Sequence, residues 1–215
     1  MKLSLDYLIR APKHIKDKNP LLLLLHGYGS NKEDLFSFKD ELPDEYYIIS
    51  LEAPHAMPPY GNAWYAINFD ADMNKFSDNN QAIASRDLIV KVIDEILESY
   101  PIDQNDIALI GFSQGSILSY AVALSYPEKL RRVVALSGYL SEDIIKENYK
   151  NNDFSKLDFF VSHGFSDQVI PVEWARKTPG FLDALGIKNV YHEYPIGHGV
   201  APKNFFDFRS WLMNK

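Results

Sequence analysis

What most constrains the fold of this chain is the way short apolar runs alternate with longer helical patterns. Residues 21–25 are consecutive leucines between Pro20 and His26-Gly27, the length and flanks of a buried strand. Residues 46–51, 106–112, 132–136, 157–162 and 190–194 are further runs of this kind, and 3–9 reads as an additional edge strand. Between them the spacing predicts helices. Over 81–99, Ile83, Ile89, Val92, Ile93, Ile96 and Leu97 fall on one helical stripe, which Pro101 ends. Further helices are predicted over 114–126, before Pro127, and over 172–185, stopped by Gly186. A last one, over 202–213, carries Phe205, Phe206, Phe208, Trp211 and Leu212. Strands alternating with helices imply a mostly parallel sheet, about seven strands wide, with helices on both faces. The fold class is α/β. No internal repeat, Gly/Ser linker or charge block divides the chain, so 1–215 is expected to be a single domain.

Composition narrows function by exclusion. With 215 residues, 46% hydrophobic and 24% charged, the chain has ordinary globular usage. A net charge of −7 argues against nucleic acid as a partner, because phosphate binding needs a surplus of Lys and Arg. The absence of cysteine removes disulfides, thiolate zinc sites and a cysteine nucleophile together. Asp6 and Tyr7 interrupt the apolar stretch a signal peptide needs. Residues 21–25 fall far short of the roughly 20 apolar residues that span a bilayer. The expectation is a cytoplasmic protein with no membrane span; its oligomeric state stays open, a homodimer included.

In open α/β sheets ligands bind beyond the C-terminal ends of the strands, so chemistry is sought just after each apolar run. Gly111-Phe112-Ser113-Gln114-Gly115 follows one run and leads straight into a predicted helix. This is the Gly-x-Ser-x-Gly pattern in its strand–turn–helix setting, where a sharp turn exposes the serine hydroxyl. Side chains at Gly111 and Gly115 would collide with neighbouring backbone, and the amide of Gln114 opens the helix toward an anion. The plain alternative is an ordinary strand–helix turn.

A serine nucleophile needs a base and an orienting acid, in the chain order Ser, acid, His for this fold. Two histidines lie far enough downstream. His192 sits inside a strand pattern, whereas His198, in Gly197-His198-Gly199, follows that strand and has glycines that free the loop. Asp167 lies in the loop after the run 157–162; Asp158 is within a strand pattern and Asp183 on a helix face. Alone, a loop aspartate is a turn or cap residue, but three such loops in this order point to Ser113, Asp167 and His198. The glycine-rich turn His26-Gly27-Tyr28-Gly29 brings the amide of Tyr28 to the same edge, a partner for Gln114 in an oxyanion hole. That turn lacks the third glycine or the Gly-Lys-Ser/Thr ending of a phosphate loop. His26 and His163 are expected to bond backbone, and His14 and His55 have no ligand spacing, so no metal site is expected. The stretch 53–80, with Met57, Tyr60, Trp64, Tyr65, Phe69, Met73 and Phe76, reads as a packed loop or short helices. Part of it, Trp64 and Tyr65 above all, is a candidate wall for an apolar acyl pocket.

The chain resembles the phospholipase/carboxylesterase family of small α/β hydrolases, which includes acyl-protein thioesterases. The resemblance is carried in order by Leu25-His26-Gly27-Tyr28-Gly29, Gly111-Phe112-Ser113-Gln114-Gly115, Leu136-Ser137-Gly138-Tyr139-Leu140, the stretch His163 to Pro171, and Tyr194-Pro195-Ile196-Gly197-His198-Gly199. It implies a Ser-Asp-His triad at the residues already chosen, no metal or cofactor, and an open site without a large lid. The chain departs from the family at Ser30, where an acidic residue is common, at Ser116, where a second glycine is common, and at Ala66 after Asn62-Ala63-Trp64-Tyr65. The expected activity is hydrolysis of a small-molecule or lipid-like acyl ester through an acyl-enzyme, falling off below the ordinary imidazole pKa of about 6.5. A thioesterase acting on acylated proteins or thiol carriers would use the same residues. A non-catalytic binding module on this scaffold would be expected to lose one of them.

Overall fold

A computed structural model describes residues 3–69 and 75–214. Seven strands form the central sheet: β1 (Tyr7–Arg10), β2 (Asn19–Leu25), β3 (Tyr47–Leu51), β4 (Ile102–Phe112), β5 (Arg132–Leu136), β6 (Asp158–Gly164) and β7 (Lys188–Tyr194). Their spatial order is β1-β3-β2-β4-β5-β6-β7; only β1 runs antiparallel to its neighbour. The helices are α1 (Glu33–Phe36), α2 (Asn79–Ser99), α3 (Gln114–Ser125), α4 (Val172–Ala175), α5 (Thr178–Ala184) and α6 (Pro202–Met213). This is the mostly parallel, helix-covered sheet expected from the pattern and the α/β-hydrolase fold that the resemblance implies.

The leucine run explains the layering. Side chains alternate along a strand, so Leu21, Leu23 and Leu25 join one apolar cluster while Leu22 and Leu24 join another. The first cluster includes Ile89, Val92, Ile93 and Ile96 of α2 and Leu118 and Val122 of α3. The second includes Phe205, Phe208 and Leu212 of α6. Each of these leucines is at most 1% exposed, and full burial contributes about 1.5–3 kcal/mol per side chain. A strand apolar on both faces can only be central, which fixes β2 between β3 and β4.

Four expectations shift. The edge strand is shorter than 3–9: Leu3 and Leu5 are buried, yet strand pairing is confined to Tyr7–Arg10 against β3. The helix expected over 172–185 is two helices, because Pro179 in the first turn of α5 has no N–H to bond the carbonyl of Ala175. Gly186 does end it, at φ 69°. The 53–80 stretch forms two small antiparallel ribbons, His55–Ala56 with Asn62–Ala63 and Ile67–Phe69 with Lys75–Ser77. Met73 lies outside the described residues. The helix after it starts at Asn79, not 81, because the Asp78 side chain caps it by accepting from the Gln81 amide at 3.0 Å.

Candidate active site

Ser113 stands between β4 and α3 with φ 52° and ψ −116°, a conformation that side chains rarely adopt. The turn holds because its surroundings leave no alternative. The Ser113 amide donates to the Leu136 carbonyl at 2.9 Å. A Cβ at Gly111 would run into the Gly115 carbonyl, and one at Gly115 into the Leu25 carbonyl. The close packing of β4, α3 and β2 thus drives the serine outward. Ser113 itself remains 9% exposed.

His198 and Asp167 arrive from the loops after β7 and β6. His198 Nε2 lies 2.9 Å from Ser113 Oγ, and Nδ1 lies 2.7 Å from Asp167 Oδ2. The Phe112 ring, 5.0 Å from the imidazole, backs it. The other oxygen of Asp167 accepts from the amides of Val169 at 2.8 Å and Ile170 at 2.9 Å. Burial opposes the charge on Asp167. The Ile170 amide, the His198 imidazole and the Val169 amide outweigh it and hold the carboxyl below the usual carboxylate range. Such a carboxylate fixes the imidazole tautomer with a bare Nε2 facing the hydroxyl. Neither Gly197 nor Gly199 takes the left-handed conformation. The glycine that lets these loops meet is Gly164, where a Cβ would strike the carbonyls of Ile196 and Gly197.

The turn after β2 faces the same edge. His26 is fully buried; Nδ1 donates to the Gly27 carbonyl at 2.7 Å and Nε2 accepts from the Ala53 amide at 3.1 Å. The ring is thus neutral and structural, and burial lowers its pKa below the ordinary histidine value. Gly29 donates to the Asn62 carbonyl at 2.9 Å, and Asn62 to the Ser30 carbonyl at 2.7 Å, which ties the turn to the aromatic segment. Gln114 ties it again, accepting from the Trp64 amide and donating to the Tyr65 carbonyl, each at 2.8 Å. As the first residue of α3, Gln114 also has an amide with no helical carbonyl to bond.

The two aromatic residues singled out together part company here. Tyr65 lines a cavity of about 340 Å³ that opens on Ser113 and His198. Trp64 does not: its side chain is fully buried, and its indole N–H donates to the His26 carbonyl at 2.9 Å. Both residues belong to the core cluster, Trp64 fully buried and Tyr65 2% exposed where it borders the cavity. Tyr28, Gln114, Ile117 and Ile170 also border the cavity. Beyond it a second hollow of about 560 Å³ shares Ser77, Tyr139 and Trp174 with the first, the latter two rings meeting edge to face at 5.0 Å. Tyr139 and Trp174 had no sequence signal as wall residues, apart from Tyr139 lying in a loop just after β5. Among the described residues no helix is long and apolar enough to cross a membrane.

A sequence profile of the phospholipase/carboxylesterase family matches residues 9–214. The chain belongs to that family. The chain is also similar to named proteins over most of its length. Acyl-protein thioesterase 1 of Debaryomyces hansenii is 24% identical over 220 residues, covering 95% of this chain and 94% of that protein. Acyl-protein thioesterase 1 of Yarrowia lipolytica is 29% identical over 169 residues, covering 76% and 71% respectively. The carboxylesterase of Bacillus cereus shares the fold with a TM-score of 0.84 at 18% identity, covering 98% of this chain and 94% of that one. Membership in the phospholipase/carboxylesterase family makes this chain a serine hydrolase of the esterase or thioesterase kind.

Proposed function

We propose that this chain, folded as one α/β-hydrolase domain and working in the cytoplasm, is a carboxylesterase with Ser113 as nucleophile, His198 as base and Asp167 as orienting acid. The observation that carries this reading is the unbroken relay from Asp167 Oδ2 to His198 at 2.7 Å and from His198 Nε2 to Ser113 Oγ at 2.9 Å. His198 takes the Ser113 proton as Oγ attacks the acyl carbonyl. The amides of Tyr28 and Gln114 hold the oxyanion. The imidazolium then protonates the departing alkoxide, leaving an acyl-serine. Water, deprotonated by the same imidazole, attacks that ester and frees the carboxylic acid and Ser113. The cavity of about 340 Å³, with Ile67, Ile117 and Ile170 in its wall, suits an apolar acyl group.

A thioesterase is the second reading, favoured by the near full-length similarity to a protein named acyl-protein thioesterase 1. It uses the same steps with a thiolate leaving. Hydrolysis of matched p-nitrophenyl ester and acyl-thioester series by wild type and Ser113→Ala tests both. Turnover that drops about 10⁴-fold or more in the variant supports the triad. A Ser113→Ala variant as active as wild type refutes it; fluorophosphonate labelling that depends on Ser113 supports the enzyme, and a stable complex with an unmodified ligand and no turnover favours a module that binds but does not hydrolyse.

A further inference from the structure

His163 is the penultimate residue of β6, just before Gly164, and its side chain is wholly inaccessible. Its Nε2 lies 2.9 Å from the Ile170 carbonyl and 3.2 Å from Oδ2 of Asp167. Its Nδ1 is buried with no hydrogen-bond partner. A proton on Nδ1 would be a buried donor facing no acceptor, whereas a proton on Nε2 is donated to the Ile170 carbonyl. The ring therefore carries its proton on Nε2. His26 occupies the equivalent His-Gly position after β2 and uses the opposite tautomer, with both nitrogens partnered and the nearest carboxylate oxygen, on Glu52, 3.7 Å away.

Oδ2 of Asp167 thus pairs with His198 Nδ1 at 2.7 Å and lies 3.2 Å from Nε2 of His163, whose N–H is donated to the Ile170 carbonyl beside it. The Ile170 residue is held from both sides, its amide on Oδ1 and its carbonyl on His163. We propose that His163 is a positioning residue for the triad acid: it pins the turn 164–170 and aims the Asp167 carboxylate at His198. The proposal rests on the triad reading given above. The other charged group nearby is Glu193, opposite His163 in the β6–β7 register, and Arg176 engages it at 2.7 and 2.8 Å. A residue that merely filled this space would be replaceable by an apolar side chain of similar size.

Wild type, His163→Leu and His163→Gln are compared in kcat, KM and rate–pH profile on the best p-nitrophenyl ester, with Ser113→Ala alongside. The side-chain amide of glutamine can place an N–H where Nε2 stood. His163→Leu is expected to lower kcat by about 10-fold or more with little change in KM, since a small misplacement of a catalytic group has effects of this order. The acid limb of its profile moves to lower pH, because a carboxylate swung away from His198 stabilises the imidazolium less. His163→Gln restores most of kcat and the wild-type limb. Equal losses in both variants, or a fully active His163→Leu, overturn the proposal while a dead Ser113→Ala leaves the triad standing. A Ser113→Ala variant as active as wild type removes the triad itself. If His163→Leu does not fold, ¹⁵N NMR of the wild-type ring decides: a proton on Nε2 supports the proposal, and one on Nδ1 overturns it.

Discussion

Gln114 holds the backbone of Trp64 across 50 residues of sequence, its side-chain oxygen 2.8 Å from the Trp64 amide. The same side chain donates to the next carbonyl, on Tyr65. One residue therefore opens α3 directly after Ser113 and fixes the segment that brings Tyr65 to the cavity wall. Gln114→Ala leaves that amide in place but orphans a buried N–H and a buried C=O. Thermal unfolding should show a loss of about 2–3 kcal/mol, and KM should rise more than kcat falls. An unchanged melting temperature would show that the tether is dispensable.

Asp167→Asn keeps the size of the acid and removes its charge. The amide has an N–H to donate, so His198 is free to turn its proton toward Ser113 and lose its role as acceptor. A fall in kcat of about 10³–10⁴-fold is expected, with the fold intact by circular dichroism. A variant within tenfold of wild type would show that Asp167 does not orient the base.

Acid should weaken the turn after β2 before it reaches the carboxylates. Burial lowers the pKa of His26 in the native state, whereas the unfolded chain binds that proton near the ordinary value of about 6.5. The stabilisation is fully present above that value and is lost as pH falls from it toward the lower folded pKa. Asp167 acts in the same direction in a more acid window, from about 3.9 down to its own lowered value. Urea midpoints measured from pH 7.5 to 4.5 should decline, and His26→Asn should flatten the upper part of that decline. A wild-type midpoint constant over this range would contradict the account.

Gly115→Ala tests the packing that drives Ser113 outward. The added methyl meets the Leu25 carbonyl and the backbone of His26, neither of which can give way without moving β2. The variant should lose about 1–3 kcal/mol, the range for overpacking, or more, and fluorophosphonate labelling of Ser113 should fail even where the protein folds. Normal labelling would mean that the elbow accommodates a side chain.

Trp174 lines both the cavity at Ser113 and the second hollow beyond it, edge to face with Tyr139. Trp174→Ala should merge them and move the optimal acyl chain to greater length in a p-nitrophenyl ester series. An optimum that stays where it was would place the second hollow outside the path of the substrate.

The strand and helix pattern, the elbow around Ser113 and the chain order Ser113, Asp167, His198 were legible in the sequence. Each depends on near neighbours: a leucine run buried on both faces, a glycine where backbone crosses backbone, a polar residue just past a strand end. The break between α4 and α5 was equally local, since Pro179 announces it. Which of Trp64 and Tyr65 faces the cavity, that Tyr139 and Trp174 wall it, and that His163 turns its Nε2 toward Asp167 were decided only by the tertiary structure. Those outcomes depend on where loops from separate strands meet, and on burial that dictates which ring atoms find partners. Neighbours along the chain carry no record of either.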